Sequence, residues 1–382
     1  MKTSTDRILT THVGSLPRPA KVAEFLVKKE HTEVYDREAY DRCMEHAVNQ
    51  VVGEQLQLGM DIVNDGEMSK TGYATYIQDR LSGFSGDSPP VHFDDLSGLP
   101  DYRQRMGQEA GTQKRVKRPK CTGPIRFTDA SELDKDVERL RSALDSHGAM
   151  EGFMNAASPG VIAVFQINDF YPSDEDYLEA LAEAMKQEYQ IIADAGFILQ
   201  IDCPDLAMGR HVVYSAESDK TFIKHASAQV EALNYALENI PAESARMHVC
   251  WGNYEGPHHR DIELKKIFNV IMQAKPAGLL YEAANPRHAH EWSVFRNGTI
   301  PEDKVLIPGV IDSTSNYVEH PSLVAERICR FADIVGRERV MAGADCGFAT
   351  FAGLGKVDPT IARMKITSLV EGAEIASKKL WA

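Results

Sequence analysis

Residues 247–260 read MHVCWGNYEGPHHR, and within them His248 and Cys250 stand two positions apart in a strand-like stretch. Alternate residues of a strand face the same side, so an imidazole and a thiol point together there. Such a pair suits a metal ion or a packed core. Two more residues bear on the choice: Glu282 ends the next strand-like run, and Cys346 ends the last. Two thiols, an imidazole and a carboxylate make a tetrahedral donor set that zinc accepts. Closed structural sites use Cys and His, whereas an exchangeable carboxylate leaves a position that substrate can take. Singly, Cys346 reads as a buried thiol and Glu282 as a salt-bridged carboxylate. Jointly, each at the end of its own late strand, they predict a zinc centre.

These residues need a frame that brings distant strand ends to one place. Eight β-branched, apolar runs recur at 8–15, 60–67, 161–168, 197–204, 246–253, 278–285, 305–312 and 339–347. A ninth, at 120–127, reads as an extra strand or a β-arm. Helical periods lie between them, one stopping at Gly196 and another at Gly336, as glycine C-caps do. Strands alternating with helices predict an α/β fold with parallel βα units. Eight units predict a (β/α)8 TIM barrel over residues 1–382 as a single catalytic domain, with an open doubly wound sheet as the alternative. The absence of a G-x-G-x-x-G or Walker motif after any run weakens that alternative. The Gly-, Pro- and charge-rich segment 84–120 interrupts the rhythm after the second βα unit and reads as an inserted lid or oligomer arm.

In such a barrel the chemistry gathers at the C-terminal strand ends. Gly14-Ser15, Asp65-Gly66-Glu67 and Asp202-Cys203 join the metal residues there. So many polar groups at one mouth would be costly in a packed core and predict a binding site. The net charge of -14 argues against nucleic acid or an anionic membrane as partner. The chain has no run of eighteen apolar residues, and its N-terminus lacks a secretory pattern. A cytoplasmic location follows as the expectation. Six cysteines spread along 382 residues are free thiols rather than a disulfide framework.

The segments HVC, YEA and ADCG, in this order and with these gaps, resemble the catalytic half of cobalamin-independent methionine synthase, a family that includes epoxyalkane:coenzyme M transferase. THVGSLPRP, NDGEMSK and LQIDCPDLAMG carry the resemblance along nearly the whole chain. It implies a TIM barrel with zinc held by His248, Cys250, Glu282 and Cys346. It also implies a thiol pocket formed by Val13, Gly14 and Ser15, with Glu67 and Asp202 on the amino group of homocysteine. The implied partners are a small-molecule thiol and an alkyl donor, with neither nucleic acid nor membrane, and a homo-oligomer remains open.

The departures all concern the donor. GVIDSTSN places Thr314 where the family carries its proton-donating histidine. The family's stacking tryptophan is missing, with Phe165 nearby. His12, His258 and His259 are candidate replacement acids, and Lys114 and Arg115 fall on the family's folate-contacting basic segment. The resemblance therefore implies methyl transfer to a zinc-activated thiol. Epoxide opening by coenzyme M is the alternative, with Arg18, Arg210 or Arg287 as the cation a sulfonate needs. A zinc-binding barrel without turnover is the third reading.

Overall fold

The computed structural model describes residues 1–31, 33–89, 91–109, 118–353, 355 and 357–382, the side chains of 107–109 excepted. Seven strands form one sheet in the order Ile62–Val63, Glu151–Ala157, Ile198–Asp202, Ala245–Val249, Gly278–Tyr281, Val305–Ile311 and Gly343–Ala344. Every neighbouring pair is parallel. Residues 9–11 reach both outer strands. Thr11 N–H donates to the Ala342 carbonyl at 2.9 Å, Ala342 N–H to the Leu9 carbonyl at 2.9 Å, and Ile62 N–H to the Thr10 carbonyl at 3.1 Å. The sheet is thus curled until its two edges share one segment. The expected strand 8–15 is reduced to this bridge.

Two apolar layers follow from the curl. Leu9, Val13, Ile62, Phe153, Leu280, Ile307 and Met341 pack on the inner face, and the larger cluster fills the space between the outer face and the helices. Arg246 is fully buried among the inner residues. It donates to Gln200 Oε1 at 2.8 Å, Thr11 Oγ1 at 3.0 Å and the His12 carbonyl at 3.0 Å. Burial pushes its pKa down to about 9, with the Glu151 and Asp202 carboxylates opposing the shift.

One expected strand is a helix. Residues 161–168 fall largely in the helix Pro159–Phe165, and the strand before it is Glu151–Ala157. An unbroken apolar run suits either buried element. The helix start decides: the Ser158 hydroxyl accepts from Val161 N–H at 2.9 Å, and Pro159 sits in the first turn, where its missing N–H costs nothing. The helices Asp174–Asp194 and Pro321–Val335 end as expected, beside Gly196 and Gly336, whose φ angles are +79° and +89°. The weaker run at 120–127 supplies an arm: Lys120–Cys121 pairs antiparallel with Phe84–Ser85, closing the base of the 84–120 excursion.

A buried ion-pair group fastens the turn Thr75–Asp79 to this frame. Arg80 lies between Glu188 at 2.7 Å and Asp136 at 3.0 Å, and Tyr76 donates to Glu188 at 2.6 Å while accepting from Ala157 N–H at 3.1 Å. Removing one partner of a buried pair leaves the other uncompensated, at a cost of about 3–5 kcal/mol. Glu188→Ala is expected to lower the unfolding free energy by that amount, seen in equilibrium denaturation as a lower urea midpoint with an unchanged slope.

Candidate metal centre

His248 lies in the strand Ala245–Val249 and Cys250 directly follows it. Register places His248 beside Asp202 on one neighbour and Leu280 on the other. Cys346 follows the last strand by two residues. The ligating atoms of His248, Cys250 and Cys346 lie within 4.8 Å of one another, and all three residues are buried. Cys346 Sγ is 3.8 Å from His248 Nε2 and 3.8 Å from Glu282 Oε1. Glu282 itself is turned onto protein donors: Oε1 accepts from Trp251 N–H at 2.8 Å and Oε2 from the Asn285 amide at 2.7 Å. Three expected ligands therefore converge, and the fourth stands off beside them.

The donor chemistry fits zinc. Zn–S of about 2.3 Å and Zn–N of about 2.0 Å place the donors of one tetrahedral ion about 3.5 Å apart, a separation that Cys346 Sγ and His248 Nε2 already approach at 3.8 Å. Burial holds the His248 pKa below its usual value, keeping the imidazole in its neutral, ligating form. Burial also pushes the Cys346 thiol well up, with the nearby Cys250 adding to it, so the Cys346 thiol keeps its proton until a cation displaces it. Asp345 braces the arrangement: Oδ1 accepts from Ala283 and Ala284 N–H at 2.8 and 2.9 Å, and Oδ2 from Asn285 N–H at 2.8 Å. That clamp ties the loop after Glu282 to the strand that carries Cys346. Trp251, Asn285 and the clamping role of Asp345 escape a reading confined to strand ends. Asp345 alone left a signal, as the neighbour of Cys346.

The centre opens on a cavity of about 750 Å³ whose wall also carries Val13, Ser15, Glu67 and Asp202. Glu67 adopts a left-handed backbone at φ 55°, rare for a side chain of its kind. Its Oε2 is buried with no partner among the described residues. Burial pushes its pKa up to about 7, Lys70 opposing and Asp202 reinforcing the shift. Asp202 is likewise raised by burial, with His248 opposing. Asn155 donates to Asp202 Oδ2 at 3.1 Å and to the Val13 carbonyl at 2.8 Å, and Gln200 donates to Asp202 Oδ1 at 3.0 Å. Gly14 lies just behind the wall at φ +148°, where a Cβ would fall 2.6 Å from both Asn155 and Glu67 Oε1. Two buried carboxylates, one with an unused oxygen, make a receptor for a cationic hydrogen-bond donor.

The remaining predicted residues separate. Phe165 is on the cavity wall, edge-on to Tyr73. Lys114 and Arg115 lie outside the described residues. His12 is turned into the interior, contrary to its expected role as an acid. Its Nε2 bonds Gln55 Oε1 at 2.7 Å, its Nδ1 accepts from Gly14 N–H at 3.2 Å, and burial pushes its pKa down to about 4. His258 is bonded through Nδ1 to Asp261 at 2.9 Å and through Nε2 to the Tyr254 carbonyl at 3.0 Å, off the cavity wall. His259 is exposed. Thr314 is on the wall, and its hydroxyl donates to Asp312 at 2.9 Å. Among the described residues, neither lysine nor arginine lines the cavity. Arg18 is spent on the Glu67 and Ala349 carbonyls, Arg210 pairs with Asp219 at 2.9 Å, and Arg287 is exposed.

Comparison with known proteins completes the description. The sequence matches the family described as "Cobalamin-independent synthase, Catalytic domain" over residues 8–175 and 172–373. It is similar to a methionine synthase of Saccharolobus solfataricus, at 25% identity over 377 residues that cover 97% of this chain and 95% of that one. In fold it is similar to a B12-independent methionine synthase from Shewanella sp. W3-18-1 solved with selenomethionine. The TM-score is 0.71 at 18% identity, covering 98% of this chain and 99% of the other. A putative vitamin-B12 independent methionine synthase from Listeria monocytogenes gives a TM-score of 0.65 at 18% identity, covering 100% and 99%.

Proposed function

The chain belongs to the cobalamin-independent synthase catalytic-domain family, and on that premise we propose that it is a zinc-dependent methyltransferase that methylates the thiol of homocysteine. One observation carries the reading. The buried His248, Cys250 and Cys346 share a cavity with the partnerless Oε2 of Glu67, so a thiol and an ammonium on one small molecule are served together. The sulfonate of coenzyme M would require a cation, and none lines the cavity among the described residues. The epoxide alternative therefore lacks the support that the amino-bearing thiol has. The name of the Saccharolobus relative points the same way.

Zinc, when bound by His248, Cys250 and Cys346 with Glu282 beside them, supplies the charge that makes a substrate thiol a thiolate near neutral pH. The chain's own residues do the rest. Glu67 and Asp202 take the substrate ammonium through charge-assisted hydrogen bonds, and the Ser15 hydroxyl is available to its carboxylate. Trp251 N–H and the Asn285 amide hold the Glu282 carboxylate ready at the edge of the centre. The aromatic wall excludes water from the reacting sulfur.

The same proposal treats residues 9–11 as the eighth strand of a closed (β/α)8 barrel and residues 1–382 as one cytoplasmic catalytic unit. Val91, Phe93 and Met106 of the 84–120 excursion contribute to the cavity wall, which favours a lid over an oligomer arm. Incubating zinc-loaded protein with homocysteine and a labelled methyl donor should yield labelled methionine by mass spectrometry. A product formed from coenzyme M and an epoxide, and none from homocysteine, would reverse the assignment. Gly14→Ala would press a methyl group on Asn155 and Glu67. Its expected effect is a rise of about tenfold in homocysteine KM, a loss of about 1.4 kcal/mol of binding, measured by steady-state kinetics.

A further inference from the structure

The donor side of the cavity has its own chemistry. Tyr73 lines it, with Phe165 edge-on at 5.5 Å and 82° and Phe351 tilted at 5.7 Å. Phe93 and Tyr254 form a second aromatic pair at 4.4 Å on the same wall. Glu67 and Asp202 are the wall's carboxylates, and no cation lines it among the described residues. With those carboxylates taken by the substrate ammonium, the aromatic faces themselves favour a positively charged second guest. Among the described residues the wall also lacks an acid suited to protonating a leaving amine. His248 is its sole histidine among the described residues, and no residue outside the description is a histidine. Thr314 donates its hydroxyl to Asp312. Tyr254 donates to Asp95 at 2.6 Å, and burial pushes the hydroxyl of Tyr73 well up, which makes it a poor acid. Glu67 and Asp202 face the substrate ammonium, which keeps them ionised.

We propose that the methyl donor is an onium ion, a sulfonium or quaternary ammonium compound held by the Tyr73, Phe165 and Phe351 rings. A methyl group on a tertiary amine leaves only if that nitrogen is first protonated. A methyl group on an already positive sulfur or nitrogen needs no acid. The step balances without further reagents. The substrate sulfur, its proton released to solvent, forms the new S–CH3 bond. The old C–S or C–N bond breaks with its electron pair returning to the heteroatom, which leaves as a neutral thioether or tertiary amine. The positive charge vanishes in the step, so the leaving group loses its attraction to the aromatic wall and departs. This inference rests on the homocysteine reading above and specifies its second substrate.

The test is a donor competition on the zinc-loaded full chain with homocysteine, using deuterated methyl groups and mass detection of methionine. One arm supplies trimethylsulfonium or S-methylmethionine, a second glycine betaine, and a third N5-methyltetrahydrofolate. The expected result is a kcat/KM for at least one onium arm that exceeds the folate arm about a hundredfold, and the two onium arms tell sulfur from nitrogen. Phe351→Leu should raise the onium KM about tenfold and leave homocysteine KM within about twofold, with recovery in Phe351→Trp. A folate arm faster than both onium arms overturns the onium assignment and leaves homocysteine methylation standing. Failure of homocysteine to bind, measured separately by calorimetry, removes the underlying reading and this inference together.

Discussion

Cys346→Ser is expected to purify folded but without its metal, and to lose methyl transfer by about a thousandfold or more, equivalent to about 4 kcal/mol of transition-state stabilisation. Cys346 Sγ sits 3.8 Å from both His248 Nε2 and Glu282 Oε1, between the imidazole and the carboxylate. A serine hydroxyl is a poor zinc ligand because it does not ionise at neutral pH, whereas a thiol does so readily under a bound cation. Elemental analysis should return about one zinc per wild-type chain and a small fraction of that in the variant after dialysis against a chelator. Cys250→Ser should behave alike. Cys329→Ser, on the half-buried face of the helix Pro321–Val335, should keep its zinc. Affinity should also fall as pH drops, since burial raises the Cys346 pKa and each ligand must shed its proton before binding.

Glu67→Gln carries the second large effect, on homocysteine rather than on the metal. An amide keeps the shape of the carboxylate but cannot pair with an ammonium. A charge-assisted bond lost in a buried site costs about 2–3 kcal/mol, so homocysteine KM should rise about a hundredfold with a smaller change in kcat. The pH dependence has a definite sign. Burial pushes the Glu67 pKa up to about 7 in the free protein. Below that pH the carboxyl is mostly neutral, and binding must first expel its proton. Homocysteine KM should therefore climb by about tenfold for each pH unit below 7 and flatten above it. Glu67→Gln should remove this dependence, which separates loss of the charge from a general disturbance of the pocket.

The sequence made the proposed metal residues legible because each lies at or just past the end of an apolar run that holds a strand. His248, Cys250, Glu282 and Cys346 could be aligned on one rim from periodicity and run length alone. The same logic failed between residues 151 and 168. Glu151–Ala157 contains Gly, Asn and two Ala residues and looks unlike a strand, yet it is the second of the sheet's seven strands, between Ile62–Val63 and Ile198–Asp202. Its neighbours Val161, Ile162 and Val164 look like a strand and form a helix, because Ser158 and Pro159 start one. The error hid Asn155, which joins Asp202 to the Val13 carbonyl. His12 misled for a related reason: a histidine next to a binding loop reads as reactive. Only the fold shows it bonded to Gln55 and the Gly14 N–H.

The central claim is that this site turns a substrate thiol into a thiolate. Calorimetric titration of the zinc-loaded protein at pH 7.5, in two buffers of different ionisation enthalpy, counts the protons released on binding. Methionine is the control, since it carries the same ammonium and carboxylate and has no thiol proton. A free thiol has a pKa near 8.5, so homocysteine should release about one proton more than methionine when its sulfur ionises in the site. Equal release by the two ligands would contradict the account.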